Sequence, residues 1–418
     1  MFGKQPQIPQ AEIVVIGNEV ISGLIEETNS RVISLRLQEV GVDVCRVTAV
    51  GDDAAAITEA VDGALGRADL VIATGGLGAT HDDITKDVLA RLFHSGFRED
   101  GRVLASIEKF FRRRGRAVPD YALEQGSVPE KADILYNEQG TAPGLLFHRD
   151  GKMLYALPGV PREMIHLLEK FILPGLALRG KRKIAHRMLK TTGITESGLW
   201  QKIGSAEPLE RRVVVASLPS HLGVRIRLSA CGEGDLSARL EAAEKYIRAR
   251  AGDCIYGVDD ETLEGVVGGL LRARNLTLAV AESCTGGLIG HRITNVAGSS
   301  DYFLEGAVTY SNAAKINRLG VDRELLDRHG AVSRETAVAM AAGVRRVCGA
   351  DIGLSVTGIA GPAGGSREKP VGLTYIALNA AAGGWCEKFI FPQDRVHNKE
   401  RAAQAALNGL RRWLADKT

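Results

Sequence analysis

Ala281-Glu282-Ser283-Cys284-Thr285-Gly286-Gly287 is the stretch from which the fold is read. Before it runs Leu276-Thr277-Leu278-Ala279-Val280, a short apolar, partly β-branched run with the pattern of a buried strand. After it comes Leu288-Ile289-Gly290-His291-Arg292-Ile293, with apolar residues at helical spacing. Ser283 therefore falls where a strand ends and a helix begins, the crevice in which open α/β sheets bind ligands. Two glycines admit a close approach to the backbone, and the first amides of the helix are expected to point outward, unpaired. Ser283 and Thr285 are also good N-cap residues, so capping and chemistry both account for them.

A second stretch bears on that choice. Thr309-Tyr310-Ser311-Asn312-Ala313-Ala314-Lys315 follows the apolar run Gly306-Ala307-Val308. Asn312 can cap a short helix, which places Lys315 on its first turn, close to Tyr310. A serine hydroxyl needs a neighbouring base to take its proton. No Gly-x-Ser-x-Gly elbow with a following acid and histidine is visible. A lysine held neutral by burial can be that base, and a tyrosine phenol can relay the proton or hold the lysine. The plainer alternative is a surface lysine and a half-buried core tyrosine. Cys284 is a rival nucleophile whose side chain is expected to point away from that of Ser283.

At 418 residues the chain holds two or three domains. Its 45% hydrophobic and 25% charged content is that of a soluble globular protein, and a formal charge of +3 argues neither for nor against nucleic acid. No apolar run reaches the length of a membrane span, and Met1 to Gln10 lacks a signal-peptide core. Six scattered cysteines form no close pair of metal or redox spacing. Together these predict a cytoplasmic protein with free thiols and no membrane partner.

From the N-terminus, strands (11–16, 42–50, 69–73) alternate with helices (29–40, 57–65), which predicts a parallel sheet with helices on its faces. The third strand runs into Thr74-Gly75-Gly76-Leu77-Gly78-Ala79-Thr80-His81-Asp82-Asp83-Ile84-Thr85, a phosphate cradle in outline, with Gly75, Gly76, Gly78 and Thr80 as candidate contacts. It is neither a Walker loop nor the dinucleotide fingerprint. Asp82 and Asp83 follow at once, and Glu19 and Asp52 lie after the earlier strands at the same edge. Oxygen ligands of this kind suit a divalent cation such as magnesium; alternatively Asp82 and Asp83 only complement a helix N-terminus. The run Phe110 to Arg116 is a solvated face, or places arginines near an anionic ligand, ahead of contacting nucleic acid.

At Leu173-Pro174-Gly175 the pattern changes to a small α+β unit, with helices at 196–203 and 236–249 and strands at 212–217, 223–230 and 254–256. It carries no motif of site chemistry and reads as a spacer or dimer-forming domain. From Asp260 onward a third unit holds the opening stretch, a helix capped by Ser333, and a strand that meets Thr357-Gly358-Ile359-Ala360-Gly361-Pro362, where amides can receive an oxyanion. A fragment starting near Asp260 is expected to fold alone.

These motifs, in this order, resemble those of the competence/damage-inducible CinA family over nearly the whole chain. The resemblance implies three domains: a molybdopterin-binding-like three-layer α/β domain (1–173), a KH-like α+β domain (174–257) and an α/β nicotinamide-nucleotide amidase domain (258–418). It implies hydrolysis of nicotinamide mononucleotide to nicotinic acid mononucleotide and ammonia, without a cofactor. Ser283 would be the nucleophile and Lys315 with Tyr310 its base system. Thr285, Gly286, Thr357, Gly358 and Arg395 would serve the oxyanion and substrate. Metal-dependent splitting of ADP-ribose is implied for the first domain, with Asp52 and Asp83 at its acidic positions; pterin or nucleotide binding without turnover is the alternative. A homodimer is expected. Asn18 stands where many members carry threonine, Ala79 where proline is usual, and Lys399 where a second arginine is usual. The middle unit lacks the Gly-x-x-Gly clamp of nucleic-acid-binding KH domains; Gly232-Glu233-Gly234 is its nearest approach.

Overall fold

Consecutive residues of a strand face opposite sides, so a strand buried on both faces feeds two cores at once. That is how the first unit is built in the computed structural model, which describes residues 10–179, 183–232 and 235–416. Val14, Ile16, Val71, Ala73, Leu154 and Ala156 enter one core, and Ile13, Val15, Leu70, Ile72, Tyr155 and Leu157 enter the other. The strands are β1 (Gln10–Ile16), β2 (Asp43–Val50), β3 (Leu70–Thr74), β4 (Phe97–Glu99), β5 (Ser127–Pro129), β6 (Asp133–Leu135), β7 (Gly144–Arg149) and β8 (Lys152–Leu157). The main sheet runs β2-β1-β3-β8-β7-β6, and β4 pairs with β5 apart from it. β1, β2, β3 and β8 are parallel, while β7 and β6 return antiparallel, so the expected all-parallel sheet is mixed. Helices Asn29–Glu39 and Pro161–Leu167 cover one face; Ala54–Arg67, capped by Asp53, and Thr85–Leu92 cover the other.

By its own contacts the chain divides into two units, residues 1–185 with 231–236, and residues 186–230 with 237–418. The middle α+β region thus belongs with the C-terminal one. Its sheet is β10-β11-β9-β12, from β9 (Lys183–Thr191), β10 (Val214–Ser220), β11 (Gly223–Gly232) and β12 (Ile255–Val258). Strand β9 was not expected; His186, Arg187 and Lys190 interrupt its apolar pattern. On β11, Val224, Ile226 and Leu228 are buried, as their alternation predicts. Glu233 and Gly234 of the clamp-like turn, and the first nine residues, lie outside the described ones.

The remaining strands are β13 (Leu278–Glu282), β14 (Phe303–Val308), β15 (Ile352–Gly358), β16 (Leu373–Ala380) and β17 (Gly383–Ile390), in the order β14-β13-β15-β16-β17. β13 is parallel to both neighbours, and β16 and β17 follow antiparallel. Leu278 and Val280 face a core closed by helix Leu263–Ala273 and the closing helix Arg395–Ala415; Ala279 and Ala281 face helix Arg334–Cys348. The closing helix also carries the link to the middle region. Arg411, only 9% exposed, donates to Asp253 O at 2.9 Å and Ile255 O at 3.4 Å. Gln404 donates to Thr192 Oγ1 at 3.1 Å. A fragment starting at Asp260 would exchange these contacts for water. Among the described residues no helix is long and apolar enough to cross a membrane.

Helix Arg334–Cys348 lies so close to β15 that an added Cβ on Gly353 would sit 2.1 Å from Ala341 O. Gly353→Ala is expected to destabilise the protein by about 1–3 kcal/mol through overpacking. Gly269→Ala, in a helix with nothing within 4 Å of the new methyl, is expected to be neutral or stabilising. Urea unfolding of the two variants reads the difference; equal midpoints would contradict this packing.

Candidate active site

In register, Glu282 pairs with Val308 on one side and Val356 on the other, so the segments after β13, β14 and β15 leave the sheet at one edge. β13 is also where the strand order reverses, the point at which such sheets open a crevice. Ser283 follows β13, Thr309 and Tyr310 follow β14, and Thr357 and Gly358 end β15.

Lys315 lies on the first turn of helix Asn312–Leu319, with no exposed surface. The cap is Ser311, whose hydroxyl accepts from Ala314 N at 3.1 Å, and not Asn312 as expected. Lys315 Nζ lies 3.2 Å from Ser283 Oγ, donates to Thr309 O at 2.8 Å and reaches Tyr310 O at 3.3 Å. Burial pushes its ammonium down from the ordinary lysine range. A neutral amine has two N–H donors and one lone pair. Two carbonyls and a hydroxyl are the partners that form requires.

The Tyr310 contribution differs from the expected one. Its backbone carbonyl, not its phenol, meets the lysine. The ring is 60% exposed, and its hydroxyl accepts from Arg395 Nη2 at 3.0 Å. Arg395 Nη1 donates to Gly361 O at 2.7 Å, so the guanidinium ties the phenol to the loop after β15.

The expected free amides at the helix start are also corrected. The helix runs Leu288–Thr294, and no serine or threonine caps it. Instead the buried carboxylate of Glu282 accepts from Gly287 N (3.0 Å), Ile289 N (3.1 Å) and Gly290 N (2.8 Å). Gly286 N donates to Ser283 O at 3.1 Å, so that amide is engaged too. Thr285 is wholly buried and its hydroxyl has no partner among the described residues, which leaves a donor beside the nucleophile. The Thr357 hydroxyl is spent on Ala331 O at 2.7 Å. Gly358 makes room: a Cβ there would stand 3.0 Å from Cys284 Sγ. Cys284 is buried in the core, which pushes its thiol up to about 12, so it is not a thiolate at neutral pH.

Sequence reading missed Glu282, whose place at a strand end hid its role as a cap. Lys399, noted as a departure, reaches inward: its Nζ lies 3.7 Å from where a Gly286 Cβ would stand. A cation is thus kept at the nucleophile turn.

In the first unit the loops after β1, β2, β3 and β8 likewise share one edge. Gly75 and Gly76 take left-handed φ of 115° and 64°. The Gly75 amide is engaged with Leu157 O, and the Gly78 carbonyl accepts from Gln125. Thr80 donates through amide and hydroxyl to Asp83 Oδ2. Asp52 Oδ2 accepts from Asn18 N at 2.8 Å. Asp82 is exposed beside His81, and a hydrogen bond from Thr80 holds its carboxyl below the usual range. Glu19 lies on the exposed short helix Asn18–Ile21. Among the described residues no three of these four acids bring ligand atoms within 4.8 Å of one another. Asp52 and Asp83 border the Gly76–Gly78 turn and each keeps an oxygen facing it. They fit a magnesium-type ion that draws its other oxygens from substrate and water.

The arginine run also finds a place. Arg113 and Arg114 join Arg102, Lys109, Tyr136 and Arg162 around a cleft of about 800 Å³. Arg162 opens the helix that follows Gly159, whose added Cβ would touch Gly75 Cα at 3.4 Å. Asn137 ties the two later motifs, donating to Ala142 O and to Glu163, whose carboxyl burial pushes up.

Residues 12–178 match the family model of a probable molybdopterin binding domain, 186–257 that of the damage-inducible protein CinA KH domain, and 260–414 that of the CinA C-terminal domain. A CinA-like protein of Salinibacter ruber is 44% identical over 97% of this chain and 100% of its own length. A putative competence-damage inducible protein of Caldicellulosiruptor bescii is 43% identical over 97% of this chain and 99% of its own. Among solved structures, the competence/damage inducible protein CihA of Agrobacterium tumefaciens is 41% identical over 35% of this chain and 91% of its own, with a TM-score of 0.35. With its three domains in this order and relatives this similar end to end, the chain belongs to the CinA family of competence- and damage-inducible proteins.

Proposed function

We propose that the C-terminal region is a serine amidohydrolase acting on nicotinamide mononucleotide. The observation that carries this reading is a wholly buried lysine amine 3.2 Å from a serine hydroxyl at a sheet switch point. Ser283 Oγ attacks the carboxamide carbon as its proton passes to Lys315 Nζ. The tetrahedral oxyanion takes the Thr285 hydroxyl as a donor. Lys315 returns the proton to the leaving nitrogen, ammonia departs, and an ester to Ser283 remains. Water then attacks the ester, Lys315 taking and returning a second proton, and the carboxylate product leaves. Lys399 at Gly286 and Arg395 at the Tyr310 phenol are the cations that suit a nucleotide phosphate.

Ammonia release from nicotinamide mononucleotide by the intact protein tests this. Ser283→Ala and Lys315→Ala are each expected to remove nearly all turnover, a loss of about a hundredfold or more, and the double variant to lose little further. Tyr310→Phe is expected to keep part of it, and Cys284→Ser to stay active. The rate should rise with pH through the lowered Lys315 value, because only the neutral amine accepts a proton. An active Ser283→Ala beside a dead Cys284→Ser would replace this mechanism with a thiol one.

For the first unit we propose a nucleotide site in which the cationic cleft meets a diphosphate and Asp52 and Asp83 hold a divalent ion. The ion supplies charge neutralisation at the phosphates. The expected activity is cleavage of ADP-ribose to AMP, lost in Asp83→Ala with the amidase untouched. The likeness of this unit to a probable molybdopterin binding domain supports a second reading, nucleotide or pterin binding without turnover. Absence of AMP from wild-type protein with magnesium, manganese, cobalt or nickel would select it.

A further inference from the structure

His221, His397 and Glu400 each offer a ligand atom, and these three atoms lie within 4.8 Å of one another. His221 sits at the turn between β10 and β11. His397 and Glu400 lie three positions apart on the first turns of the closing helix, a spacing that places both on one face. All three belong to the second structural unit and are half-buried. We propose that they form a binding site for a divalent transition-metal ion of the zinc type, which fastens the β10–β11 turn to the closing helix.

Three features distinguish this cluster from a chance ion pair. His221 Nε2 and Glu400 Oε2 stand 2.7 Å apart, yet that nitrogen is buried and makes no aligned hydrogen bond. A simple ion pair would turn the N–H onto the carboxylate; ligand atoms aimed at a shared centre need not face each other. Next, His397 Nδ1 is hydrogen-bonded to Asp394 Oδ2. This carboxylate–imidazole pairing orients the ring and leaves Nε2 as the coordinating nitrogen, the arrangement usual behind metal-bound histidines. Finally, the His221 and His397 rings meet edge-on with centroids 4.7 Å apart, so both imidazoles border one space.

The donor set names the class of ion. Two imidazoles and one carboxylate suit zinc, cobalt or nickel in preference to magnesium or calcium, and three protein ligands leave a position for water. Tetrahedral ligands about 2.0–2.2 Å from an ion lie roughly 3.3–3.6 Å apart, so the His221–Glu400 pair, 2.7 Å apart without the ion, must open slightly, which small rotations of half-buried side chains supply.

The supports on both sides are built. Ser220 Oγ donates to Gly223 O at 3.0 Å, and Thr192 Oγ1 donates to Leu222 O at 3.0 Å, which fix the turn that presents His221. Asp394 caps the closing helix through Val396 N (2.9 Å) and His397 N (3.1 Å). The same helical turn reaches the candidate active site through Arg395 on Gly361 O and Asn398 on Ala360 O. An ion here would therefore steady the turn that carries those contacts. The proposal does not rest on the amidase reading.

The test is binding of Zn²⁺ and Co²⁺ to untagged, chelator-treated full-length protein, by equilibrium dialysis and by the visible absorption of the Co²⁺ form. One equivalent beyond any ion at Asp52 and Asp83, measured in Asp83→Ala protein, is expected, with the bands of a low-coordinate cobalt centre and no thiolate charge-transfer band. Saturating Zn²⁺ should raise the melting temperature of the wild type. His221→Ala and Glu400→Gln should lose that equivalent and the melting shift, and Asp394→Asn should bind about 10- to 100-fold more weakly. Glu400→Gln preserves side-chain shape, so its loss is read without refolding doubts when its circular dichroism matches wild type. No bound equivalent at micromolar metal, a thiolate band, or unchanged binding by Glu400→Gln and His221→Ala would each overturn the site.

Discussion

A lysine amine with no access to water, set between two backbone carbonyls and a serine hydroxyl, is the constraint around which the C-terminal region is arranged. Burying an ammonium there is costly, and the fold lowers that cost by favouring the neutral form. The geometry must then be held from both sides. Ser311 caps the helix that presents Lys315, and Glu282 fastens the turn that presents Ser283 by accepting three amides. A carboxylate accepting three amides is a strong tether, and removing it would leave the buried Ile289 amide unmet at about 1–3 kcal/mol. The residue before the nucleophile thus does structural duty for the nucleophile itself.

The two α/β sheets solve the same problem with different chemistry. In each, strands on either side of a central one deliver loops to a common edge. In the C-terminal sheet a buried lysine and serine meet at the edge, with the exposed Tyr310 ring and the cations Arg395 and Lys399 nearby. In the N-terminal sheet the edge groups are the glycine-rich turn and the partly exposed carboxylates of Asp52 and Asp83 beside it. Two environments this unlike on one plan explain why shared architecture alone identifies neither activity.

Much of this was legible in the sequence because it is local. Ser283 sits at a strand end and Lys315 on the first turn of a helix, and local pattern announces both places. What was misread depends on where side chains turn. The Tyr310 phenol faces Arg395, distant in sequence, while its carbonyl meets the lysine five positions on. Glu282 read as an unremarkable end of strand, since nothing local says that its carboxylate folds back over the next helix. β9 was hidden by His186, Arg187 and Lys190, which break its apolar pattern. The His221, His397 and Glu400 cluster has no sequence signature because its members come from two distant segments.

The closing helix joins these levels. Its apolar face, Ala402, Ala403, Ala406, Leu407, Leu410 and Leu414, is what periodicity announces, and it fills the core over β13 and β15. Its polar residues have other tasks. The first turn reaches the candidate site through Arg395, Asn398 and Lys399, while Gln404 and Arg411 hold the middle region. Gln404 also accepts from Arg292, which pairs with Glu264 at 2.7 Å, so one chain of polar contacts runs from β9 through the closing helix to the helix behind the nucleophile. A half-buried network of this kind specifies one relative placement of its members, because shifting any of them strands a donor. The middle region is therefore more than a spacer: it completes the hydrogen bonding of the helix that carries Arg395 and Lys399.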